Sequence, residues 1–185
     1  MATHRSAPPV GRTRRRKATS WTLAAVTAAA AIALGVVTAA GGDERAADAP
    51  QAPSVAFERF DGSPATLADY RGMPLVVNFW ASWCPSCVAE MSAAFRPVQQ
   101  SLGDRVEFLG MNLQDDRTSA LELVEDTGVL FDLAEDLRGD LYTALGGLGM
   151  PFTVFISPDG SIAHTHNGPL TEGQLTGLIT EHLLP

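Results

Sequence analysis

Residues 78–87 read NFWASWCPSC and hold both cysteines of the 185-residue chain. The run PLVVNFWA, residues 74–81, is continuously apolar and rich in Val, Phe and Trp, the pattern of a strand buried on both faces. A proline directly after the first cysteine favours a helix start there. At the first helical position its missing N–H costs nothing and its fixed φ suits the turn. A buried strand running into a helix through Trp83-Cys84-Pro85 places the first sulfur at the positive end of that helix. The unpaired N–H groups there favour a thiolate at Cys84. Cys87, one turn on, faces the same side and can attack a mixed disulfide formed by Cys84. Cys84 is thus the nucleophile and Cys87 the resolving thiol. Pro85 and Trp83 border them, Trp83 as an apolar wall of the site, whereas Trp80 reads as core.

Two other uses of the pair fit these residues less well. A disulfide between cysteines three apart closes a very small loop and constrains the unfolded chain little. A closed structural zinc site needs four ligands, and one CxxC supplies two. His164 and His166, alternate residues of a strand, share a face. Nothing in the spacing joins them to the cysteines, and they read as surface histidines.

Outward from this centre, 54–60 followed by DGSPATL reads as a strand and a turn. RVEFLGMNL, 105–113, is a second apolar strand, and 117–128 is a helix ending at Gly128. Residues 140–145 form a short helix before GGLG. PFTVFI and SIAHTH flank the turn SPDG as an antiparallel pair. In 171–184, Thr171 and Gln174 stand in capping-box spacing ahead of a last helix. Strands alternating with helices, then a hairpin and a helix, describe an α/β domain of three layers with a central mixed sheet.

The N-terminus is of different composition. Six of the 13 Lys+Arg lie in the first 17 residues, and none of the 21 Asp+Glu precede Asp43. From Asp43 onward seven basic residues face 21 acidic ones, a balance that repels phosphate backbones and excludes nucleic acid as a partner. Residues 21–40, WTLAAVTAAAAIALGVVTAA, carry no charge and are long enough for a bilayer core of about 30 Å. With the RTRRRK run before them held in the cytoplasm, the body is sent outward. The small residues near 38–40 also fit a cleaved signal peptide. The expected organisation is a basic segment (1–20), a transmembrane anchor or signal peptide (21–40), a flexible tether (41–53) and a folded domain (54–185). The domain then lies outside the cytoplasm, on the membrane or secreted.

LADYRGMPLVVNFWASWCPSCVAE, followed by MNLQDD and GLGMPFTVFISPDG in that order, resembles the membrane-tethered thioredoxin-like proteins of the TlpA/ResA/CcmG (DsbE) group. The resemblance covers roughly 55–184. It implies a thioredoxin-like fold and a thiol–disulfide oxidoreductase needing no cofactor and no metal. Its partners would be exported protein thiols or disulfides, apocytochrome c among them, and a membrane redox partner. Pro151 matches the family's cis-proline beside the cysteines, with Met150 before it where a β-branched residue is more familiar; both border the substrate. Glu90 matches an acidic residue able to take up or lend the Cys87 proton. Asn78 stands where thioredoxin has a buried aspartate and cannot titrate. The proline that family members carry soon after the glutamate is missing; Pro97 stands further on, so the helix kink is displaced or absent. Other readings of the same residues are a disulfide-forming oxidase, a peroxiredoxin-like peroxidase working through a sulfenic acid, and a copper-binding module that adds a histidine to the two sulfurs.

Overall fold

The computed structural model describes residues 49–185. The basic segment, the apolar stretch 21–40 and most of the expected tether lie outside the described residues. The tether's last residues do not: Ala52 N–H donates to Gly160 O and Ile162 N–H to Pro50 O, each near 2.9 Å (2.9 and 2.8 Å), and Gln51 bridges Ser161. Residues 50–52 are thus tied to the sheet's hairpin, on the tether side of the expected boundary at Ser54.

Seven strands form one mixed sheet: β1 (Phe57–Arg59), β2 (Pro64–Ala65), β3 (Leu75–Trp80), β4 (Glu107–Leu113), β5 (Asp132–Asp136), β6 (Phe152–Ile156) and β7 (Ile162–Asn167). Their order across the sheet is β2-β1-β5-β4-β3-β6-β7. β3 runs parallel to β4 and antiparallel to β6, with Asn78 opposite Gly110 and Thr153. All six of its residues are buried, as the unbroken apolar run requires when both faces are covered. Val76, Trp80 and the two cysteines pack on one face with Phe155 and Ile179, while Leu75, Val77 and Phe79 pack on the other with Met111, Phe152 and Leu141. Burying each such large apolar side chain contributes about 1.5–3 kcal/mol.

The helices are α1 (Pro85–Glu90), a π turn (Met91–Phe95), α2 (Arg96–Leu102), α3 (Arg117–Thr127), α4 (Asp140–Ala144) and α5 (Glu172–His182). α3 starts where Asp116 accepts the Ser119 N–H at 3.0 Å. It ends at Gly128, whose φ of 64° is the left-handed conformation that closes a helix and that glycine adopts without strain. α5 carries the capping box expected at Thr171 and Gln174.

Two features depart from the sequence reading. β5 has the sequence DLAED, acidic residues that strands disfavour. Each is engaged: Asp132 accepts from the Tyr70 hydroxyl, Glu135 receives two bonds from the Arg117 guanidinium (2.6 and 3.2 Å), and Asp136 accepts the Asp140 and Tyr142 N–H groups (2.9 and 2.8 Å) at the head of α4. The long helix after the cysteines is also interrupted by the π turn, where Arg96 N–H reaches back five residues to Met91 O. Pro97 follows directly. Its ring would press on the carbonyl four residues back, and it offers no donor; the widened turn relieves this contact.

Candidate active site

β3 ends at Trp80, and the chain turns over Ala81-Ser82-Trp83 into α1. The Cys84 N–H donates to Ala81 O at 3.2 Å across this turn. Cys84 is the N-cap residue, in extended conformation, and Pro85 is the first helical residue, as the CPSC order predicts. Cys84 and Cys87 are joined in a disulfide, their Cα atoms 5.3 Å apart. The Cys87 N–H points at Cys84 Sγ (3.3 Å), and Ser86 Oγ lies 3.5 Å from the same sulfur. A charge developing on Cys84 therefore meets two polar hydrogens at once. Cys84 is 5% exposed and Cys87 1%, so the first is the sulfur an incoming thiol can approach.

Glu90, one turn past Cys87 on the same helix face, is 3% exposed. Burial pushes its pKa up to about 8; the Leu170 backbone N–H approaches and opposes this weakly. That approach lacks hydrogen-bond geometry, and neither carboxyl oxygen has a partner among the described residues. An acid without donors keeps its proton. Asn78 is buried and donates to Thr153 Oγ1 at 3.1 Å.

Trp80 is fully buried, and Trp83 is 58% exposed, its indole N–H donating to Gln114 O at 3.2 Å. The two tryptophans thus separate into core and surface. The Met150–Pro151 peptide is cis. Met150 is half-buried and packs against the large apolar cluster to which both cysteines also belong. His164 differs from the expected surface histidine: it is half-buried and stacks on His182, ring centroids 4.4 Å apart. Burial first, then the charges of His182 and His166, lower its pKa. Among the described residues no group of three His, Cys, Asp or Glu side chains is arranged to hold a metal.

Sequence reading took the segment MNLQDD only as part of a resemblance and assigned its side chains nothing. Asp115 of that segment binds Ser82 through both of its oxygens, a contact over 33 positions that no local spacing signals. The exposed Leu148, ahead of Met150, was likewise unassigned.

Residues 46–179 match the family model described as Redoxin. A thiol:disulfide interchange protein DsbE homolog of Paracoccus denitrificans is 36% identical over 129 residues, which make up 68% of this chain and 69% of the relative. Thiol-disulfide oxidoreductase ResA of Bacillus subtilis is 24% identical over 134 residues, 72% of this chain and 75% of its own. A secreted disulfide oxidoreductase of Mycobacterium tuberculosis, homologous to Escherichia coli DsbE, shares the fold. Its TM-score is 0.62 at 24% identity, covering 69% of this chain and 96% of that one.

Proposed function

Because the chain belongs to the Redoxin family, with the DsbE and ResA thiol–disulfide oxidoreductases as its relatives, we propose that it exchanges disulfides with exported proteins outside the cytoplasm through Cys84 and Cys87. Held to the membrane by residues 21–40, it serves as a reductase, with apocytochrome c as the substrate to try first. One observation carries the reading. A disulfide lies at the head of a helix, its outer sulfur facing the Cys87 N–H and its inner sulfur one turn from a buried carboxyl whose pKa burial raises.

The chemistry follows from this arrangement. A donor thiolate attacks Cys84 Sγ, the Cys84–Cys87 bond breaks, and the electron pair leaves on Cys87. Glu90, protonated at neutral pH, supplies the proton that neutralises the departing thiolate. A second donor thiolate then releases Cys84 as the thiolate, and the donor keeps the disulfide. In the reductive half, Cys84 attacks a substrate disulfide and one substrate sulfur departs. Cys87 gives its proton back to the Glu90 carboxylate and resolves the mixed disulfide. Trp83, Pro85, Met150 and Pro151 border the substrate chain in this second half. The exposed Trp83 and Leu148 favour apolar segments of unfolded protein.

The equilibrium potential of the pair in the full chain tests the direction. A value near about −270 mV fits a reductase, and one near about −120 mV would make the protein a disulfide donor instead. Cys84→Ser should abolish exchange, and Cys87→Ser should accumulate substrate-linked mixed disulfides on gels run without reductant. A trap formed by the Cys84 variant instead would reverse the roles.

A further inference from the structure

Four hydrogen bonds converge on one carboxylate in the loop after β4. Asp115 Oδ2 accepts from the Ser82 N–H at 2.6 Å and from Asn112 Nδ2 at 2.9 Å. Oδ1 accepts from Ser82 Oγ at 2.7 Å and from the Asp116 N–H at 2.9 Å. Three of these partners are obligate donors, and the fourth, a hydroxyl, is free to donate. Only a group that accepts on both atoms fits the position. Partial burial pushes the Asp115 pKa up, but the donors of Asn112 and Ser82 outweigh it and hold the group below the usual carboxylate range.

Two of the four bonds go to Ser82, two residues ahead of Cys84. A neighbour of each is also joined: the indole of Trp83, which follows Ser82, donates to the carbonyl of Gln114, which precedes Asp115. Gln114 has φ of 48°, the only positive φ of a non-glycine residue among the described residues. That conformation costs about 1–2 kcal/mol, and it accompanies the carbonyl's contact with the indole. Consecutive residues of one loop thus grip consecutive residues of the cysteine turn, and the second grip holds a side chain that is mostly in solvent.

We propose that Asp115 is a positioning residue for disulfide exchange with polypeptides. It fixes the Ser82–Trp83 turn so that Trp83 stands as a rigid apolar platform beside Cys84, on which the chain flanking a substrate sulfur is received. A small dithiol has no flanking chain and requires only access to Cys84, so the clamp separates unfolded protein thiols from small ones. This rests on the proposed roles of Cys84 and Trp83.

Asp115→Asn is the decisive variant, because it keeps the size and turns one acceptor into a donor facing donors. The oxidised full chain is mixed in single turnovers with reduced, unfolded ribonuclease A and, separately, with dithiothreitol. The half-saturating ribonuclease concentration should rise about tenfold, the worth of losing a charged hydrogen bond, at an unchanged limiting rate. The dithiothreitol rate should stay within about twofold, as for a change remote from the reacting sulfur. The Trp83 indole N–H resonance, identified by its loss in Trp83→Phe, should shift. Equal slowing with both thiols would make Asp115 a merely structural residue, and no change with either would remove the clamp. Wild-type protein inert toward both would instead overturn the exchange reading itself. Should Asp115→Asn fail to fold, Ser82→Ala removes only the hydroxyl bond. It should give the same selective loss at about threefold, and an unselective loss would sink the proposal equally.

Discussion

Glu90 on α1 and Asp115 in the loop after β4 are both carboxyls withdrawn from water near the cysteine turn, and they hold opposite states. Glu90 is buried with no hydrogen-bond partner on either oxygen among the described residues, and its pKa climbs to about 8. Around Asp115 stand four donors, and its pKa falls despite desolvation. Burial acts in the same direction on both. The number of donors decides which becomes a proton store and which a fixed anchor, since a hydrogen bond to the charged form offsets desolvation. On the proposed roles, the helix face would lend the proton and the loop would hold the turn.

The largest effect is expected at Glu90→Gln. The unfolded carboxyl titrates near 4.5 and the folded one near 8. Between these values the folded chain keeps a proton the unfolded chain has released. Stability therefore falls as pH rises through that window and levels off above about 8. By pH 7 the loss reaches about 3 kcal/mol. Urea unfolding of Glu90→Gln should lack this slope, and its exchange rate should no longer decline as pH passes 8. A variant whose stability still falls from pH 5 to 8 would mean Glu90 is not the buried acid.

Asp115→Ala ranks next. It leaves the Ser82, Asn112 and Asp116 donors without an acceptor and should cost about 2 kcal/mol. Its sign with pH is opposite to that of Glu90: a depressed carboxylate stabilises the fold above its unfolded value, and the contribution is lost on acidification through the folded one. Wild type minus variant should thus shrink as pH drops below about 4. A difference constant down to pH 2 would deny the anchor its charge.

The smallest effect is expected at Gln114→Gly. Glycine accepts a φ of 48° without strain and keeps the carbonyl bonded to Trp83. Against the flexibility it adds to the unfolded chain, a net gain of about 0.5 kcal/mol is expected, with the Trp83 indole resonance unmoved. A shifted resonance would show that the glutamine side chain, which donates to Arg138 O at 3.5 Å, also orders the loop.

The place of Glu90, one turn past Cys87, was open to sequence reading; whether it is buried or solvated was not. A glutamate three residues after Cys87 must share its helix face, and a helix laid on a buried strand has an inward side. Strand β3, the CPSC helix start, the Gly128 stop and the Thr171 capping box were legible for similar reasons, because each is written within a few consecutive residues. Asp115 was not legible, since its meaning lies 33 positions away at Ser82. Strand β5 was hidden for a related reason. Glu135 and Asp136 look hostile to a strand until Arg117 and the first N–H groups of α4 are seen to occupy them. The π turn escaped because a missing proline announces only that something differs. The widening it prompts depends on where Pro97 falls.

That turn has a consequence for how the helix can change. An α-helical residue advances the azimuth by about 100°, so in a regular helix the bearing of Cys87 and Glu90 would dictate the bearing of Val98 and Gln99 further along. The wide turn over Met91–Phe95 resets that bearing by part of a turn. The front half keeps the two cysteines and Glu90 inward while Val98 and Gln99, past the turn, are buried as well. Deleting one residue there would restore the regular phase and swing one of the two halves off its buried face.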